Sequence, residues 1–70
     1  MIRTNTKILL LALKHLGMPR NEAVPLLSIL NDKEEETLID MIEERIKERA
    51  ELPTVQEIMQ KVSEILPTTR

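Results

Sequence analysis

The apolar and polar positions of this chain recur in blocks that fit helices rather than strands. The clearest block is the last. Val55, Ile58, Met59, Val62, Ile65 and Leu66 fall within an arc of about 120° at the helical period, while Gln56, Glu57, Gln60, Lys61, Ser63 and Glu64 occupy the rest. The spacing predicts a helix over 55–66 with one docked and one solvated face. Thr54, with Glu57 three residues later, is a capping-box signature that satisfies two orphan amides reciprocally, and Pro53 and Pro67 bracket the segment. Burying those apolar side chains offers on the order of 10 kcal/mol, and ordering about a dozen residues costs the same or more. This helix is expected to hold only against its groove.

The longest apolar run lies near the start, where Ile8, Leu9, Leu10, Leu11, Ala12 and Leu13 are consecutive, Leu16 closes the segment and Gly17 supplies a stop. Leu and Ala favour helix over a buried strand. Thr4, Asn5 or Thr6 can cap it. At 100° per residue Ile8, Leu9, Ala12, Leu13 and Leu16 form one arc of about 140°. Leu10 and Leu11 lie outside that arc and flank Lys7 and Lys14. They predict a second apolar surface that needs a partner, within the chain or outside it.

Gly17-Met18-Pro19-Arg20-Asn21 reads as a compact corner. Asn21 caps a second helix with Ala23, Val24, Leu26, Leu27, Ile29 and Leu30 as its apolar residues. Pro25 removes one helical hydrogen bond, so this element is expected to be short, irregular at its start and finished at Leu30. A third helix is predicted from about Asp32 to Glu51, with Asp32 opening its cap, the acids Glu34 to Glu36 at the positive end of its dipole and Arg45, Lys47 and Arg49 near the other. Leu38, Ile39, Met41, Ile42, Ile46 and Ala50 are its apolar residues. Arg45 and Arg49 fall on that apolar side, where they must snorkel or pair with a neighbour's acids. The order predicts an all-α fold, a compact bundle of four helices in one domain over 1–70: a short second helix, a long acidic third, an amphipathic fourth and a frayed tail over 67–70.

Composition narrows the means of stabilisation. A chain of 70 residues with no Cys, one His and no aromatic residue has neither disulfide nor zinc cluster to staple it, so its core is Leu, Ile, Val, Ala and Met. Chains this small bury only about 60% of their unfolded surface, and self-association, in the simplest form a homodimer, adds buried area. The net charge of −2 hides an asymmetry. Residues 1–20 hold Arg3, Lys7, Lys14 and Arg20 with no acid, whereas residues 21–70 hold six bases and twelve acids. A basic, leucine-rich first helix suits an acidic partner, an anionic surface, nucleic acid or the acidic helix of its own fold. The apolar run is too short to span a bilayer, which takes about 20 residues, and it lacks the form of a secretion signal. A cytoplasmic protein is expected.

Catalytic chemistry finds little footing. His15 stands near a helix end where a cation is favoured; Ser28 and Ser63 lack a nucleophile-elbow context. Adjacent acids such as Glu34 with Glu35 or Glu43 with Glu44 point about 100° apart on a helix. Gly17 is the single glycine, so no phosphate loop is available. No cofactor, metal or small-molecule substrate is expected. The leading expectation is a non-enzymatic interaction module, an adaptor, inhibitor or regulator, that binds a protein partner or itself through Leu10 and Leu11 as anchors, with Lys7 and Lys14 steering. The alternative is a helix-turn-helix-like DNA-binding regulator built on 8–30, with Arg3, Lys7, Lys14 and Arg20 on phosphates. Against it stand Pro25 within the would-be recognition helix and Glu22 opposing Arg20, that helix's one base.

Overall fold

A computed structural model describes residues 3–66. Four helices follow one another: α1 (Thr4–His15), α2 (Arg20–Ser28), α3 (Asp32–Arg49) and α4 (Val55–Ile65). The fold is the predicted all-α four-helix bundle. α1 packs against both α2 and α3, and α4 packs against α3. Leu9 and Leu13 of α1, Ala23 and Leu27 of α2, Leu30 of the connection that follows, Leu38 and Ile42 of α3, and Ile58 and Val62 of α4 make one buried apolar cluster. The tail over 67–70 lies outside the described residues.

α4 matches its predicted bounds to within a residue, but Met59, at the edge of the predicted docked arc, is 48% exposed because the groove covers only the middle of the stripe, where Ile58 and Val62 are buried. Thr54 Oγ1 accepts from the Glu57 amide at 3.1 Å, and Glu57 Oε1 accepts from the Thr54 amide at 3.3 Å. α3 begins with the same device, but Asn31 rather than Asp32 occupies the cap. Its side chain accepts from the Glu34 amide at 2.8 Å while Glu34 Oε1 accepts from the Asn31 amide at 2.9 Å. The helix stops at Arg49, ahead of Glu51 and Pro53, because Ala50 turns left-handed (φ 54°).

α2 departs further from expectation. It starts at Arg20, ahead of Asn21, and runs through Pro25 to Ser28. The Pro19 carbonyl accepts from both the Glu22 and Ala23 amides at 3.0 Å, which closes the first turn without a side-chain cap. Pro25 faces solvent while Ala23, Leu27 and Leu30 are buried. Burial of that stripe offsets the hydrogen bond the proline cannot make.

α1 is rotated relative to the predicted arc. Leu9 and Leu13 are buried, with Leu10, Ala12 and Leu16 packed against the core beside them, but Ile8 is 45% exposed. The centre of the buried arc has moved about 50° towards Leu10 at the helical period. Two neighbours, α2 and α3, cover α1, so a stripe suited to one does not describe it. Thr6 and Asn5 do not cap α1 either. The helix has no side-chain cap, and both residues reach across to α3.

Candidate interaction surface

The polar contacts between α1 and α3 centre on Glu35, which the structure buries completely. Arg3 Nη2 and Nε donate to Glu35 Oε1 at 2.9 and 3.1 Å, and Thr6 Oγ1 donates to Oε2 at 2.6 Å. Arg3 Nη2 also donates to the Leu30 carbonyl at 3.2 Å, and Asn5 Nδ2 to Asp32 Oδ1 at 3.1 Å. Both carboxylate oxygens of Glu35 are thus satisfied, which is the condition for burying a charge. Sequence reasoning placed Glu35 with Glu34 and Glu36 as acids serving the positive end of the α3 dipole. The signal that could have found it is phase: Glu35, Leu38 and Ile42 stand at i, i+3 and i+7, on one stripe. Arg3, a candidate phosphate ligand, is committed to this internal clasp.

The other three candidate cations remain on the surface. Lys7, Lys14 and Arg20 are exposed and form no ion pair with any described residue. No acid interrupts α1. The two candidate anchors separate on either side of the lysines. Leu10 turns towards α2 and packs partly against the core, where it lines a groove of about 270 Å³ with Lys14, Met18, Pro19, Arg20 and Ala23. Leu11 stands out at 60% exposed. One turn before it is half-exposed Ile8, a residue the sequence assigned to the core. The outer face of α1 therefore carries an apolar strip of Ile8 and Leu11, a row of Lys7 and Lys14, and then the groove.

At the opposite end of the bundle Arg45 of α3, half-buried, forms an ion pair with Glu57 of α4. This is the neighbour's acid that its position on the apolar side required. The Arg45 guanidinium and then the Thr54 amide, both donating to Glu57, hold its carboxyl down to about 2, and the Glu57 carboxylate in turn raises the Arg45 guanidinium above its ordinary range. Among the described residues every buried side-chain nitrogen and oxygen has a hydrogen-bond partner. Among them also, no helix is long and apolar enough to cross a membrane, and no three acidic or histidine side chains converge to hold a metal ion.

Fold and surface together define the class: an all-α four-helix bundle with one basic, partly apolar outer face. Comparison with protein-family models, with curated proteins and with solved structures finds no match for this chain.

Proposed function

We propose that this chain is a small non-enzymatic interaction module, an adaptor, inhibitor or regulator, that docks a protein partner on the outer face of α1. The observation that carries this reading is the setting of Leu11: a leucine 60% exposed, one turn from half-exposed Ile8 and flanked by Lys7 and Lys14, on a helix without an acid. An isolated exposed leucine needs no explanation. An apolar strip edged by unpaired cations combines anchoring with charge steering.

Leu11→Asp tests it more cleanly than Leu10→Asp, since Leu10 packs against the core. Leu11→Asp is expected to keep the wild-type helicity by circular dichroism. It should abolish either the concentration-dependent mass of a self-associating chain in sedimentation equilibrium, or the complex reconstituted from a purified partner. An association that survives Leu11→Asp rejects the reading.

The helix-turn-helix alternative draws support from one feature, the placement of Lys14 and Arg20 on the same groove. Titration with random duplex DNA at low and moderate salt separates the two. Binding that falls steeply with salt and survives Leu11→Asp favours the DNA reading.

A further inference from the structure

The interaction reading leaves open which protein chemistry the outer face of α1 accepts, and the register of its residues narrows the choice. Ile8, Leu11 and His15 recur at i, i+3 and i+7, all on the solvent side of α1. This is the alternating three-and-four spacing of a coiled-coil seam. Lys7 and Lys14 then share one flanking position, seven residues and about 10 Å apart along the helix, both exposed and without an ion pair among the described residues. The other flank of the seam, Asn5 and Ala12, carries no charge of its own and is turned to α3 and the core, Asn5 donating to Asp32 and Ala12 packing on the buried cluster. So the docking face has an apolar centre with a cation on each of two successive heptads, two turns apart, along one edge.

We infer that this seam takes an acidic amphipathic helix from a different protein, with apolar residues at heptad spacing and carboxylates seven residues apart along the edge that meets Lys7 and Lys14. This rests on the interaction reading above and specifies the partner within it. A second copy of the chain is the poorer occupant in either orientation. An antiparallel pair of α1 helices sets Lys7 and Lys14 of one copy against those of the other, and like charges across such a seam are unfavourable. A parallel pair sets Lys7 against uncharged Ala12. The outer face of α3 supplies acid in abundance, Asp40, Glu43, Glu44 and Glu48, but no apolar residue accompanies them there, so it cannot fill the seam.

The probe is a pair of synthetic three-heptad peptides with identical apolar seam positions, one with Glu and the other with Lys at every flanking position. Self-repulsion keeps each peptide from pairing with itself. Binding to the full chain is followed by fluorescence anisotropy at low and moderate salt. The Glu peptide should bind about tenfold or more tighter than the Lys peptide at low salt, and the gap should narrow as salt rises. The double variant Lys7→Glu/Lys14→Glu, which touches no core residue, should reverse the order, and Leu11→Asp should remove binding of both. Equal binding of the two peptides, lost in Leu11→Asp, overturns the acidic partner while leaving the docking face standing. Binding of neither peptide, with a dimer that Leu11→Asp dissociates, overturns it in favour of a second copy. Binding of neither, with a monomer at all concentrations, overturns both readings.

Discussion

α3 is held at each end by an arginine–glutamate pair, and the two pairs are built in opposite ways. At its start the acid belongs to α3 and is sealed from water: Glu35 is bonded by Arg3 and Thr6 from the α1 side. Towards its end the arginine belongs to α3, and the acid, Glu57, belongs to α4 and meets solvent. A buried carboxylate that loses its partner keeps the full desolvation cost, whereas an exposed one returns to water at little loss. The same pair of residue types therefore specifies how α1 seats on α3 in one place and only assists α4 in the other.

α4 depends on apolar contact instead, and the largest effect is expected there. Ile58 is almost wholly buried, and Ile58→Asp places a charge without a partner in the core, a change costing upwards of about 4 kcal/mol. In a domain of this size that should abolish the cooperative thermal transition. A helical monomer with a normal melting temperature would show that α4 is not integral to the core.

Arg3→Ala comes next. It strands Glu35, and with allowance for the half-exposed arginine, roughly 2–3 kcal/mol should be lost in urea denaturation. The double variant Arg3→Met/Glu35→Leu should recover most of that loss, since a packed apolar pair replaces a buried ion pair at little net cost. If Arg3→Ala is neutral, the clasp and the contrast drawn from it both fail.

The smallest effect belongs to Glu57. Its carboxyl is lowered in the folded chain from 4.5 to about 2, so its contribution to stability is fully present above pH 4.5 and is lost as the pH falls towards 2. Glu57→Gln keeps an oxygen for the Thr54 amide and removes only the charge. The small stability gap between it and wild type should close across that pH window and shrink with added salt. A gap unchanged at pH 2 would assign the effect to packing rather than charge.

How much of this was legible beforehand depended on whether one pattern had one solution. Val55 to Leu66 has a single apolar stripe, a capping box and flanking prolines, and its helix and inward face were readable directly except for Met59 at the edge of the stripe, which stays half-exposed. Ile8 to Leu13 is apolar at every position, so periodicity located the helix but left its rotation open; contacts with α2 and α3 chose Leu10 over Ile8 for the inside. The acids Glu34, Glu35 and Glu36 look equivalent in sequence, yet one closes a cap, one is buried and one is exposed. That sorting is tertiary, because Glu35 can be buried only where Arg3 and Thr6, about thirty residues earlier, arrive to meet it. Of the proposed surface, Lys7, Leu11 and Lys14 were found from sequence. Ile8 was missed through the same rotational ambiguity.

Ala50 gives the fold an unused margin. It ends α3 at φ 54° and ψ 33°, with its amide donating to the Ile46 carbonyl at 2.8 Å, in a conformation that costs an L-residue about 1 kcal/mol and a glycine almost nothing. The chain places its sole glycine elsewhere, at Gly17. For protein engineering, position 50 is thus where a hardened version of this bundle would begin: Ala50→Gly relaxes the bend between α3 and α4 while leaving the outer face of α1 untouched.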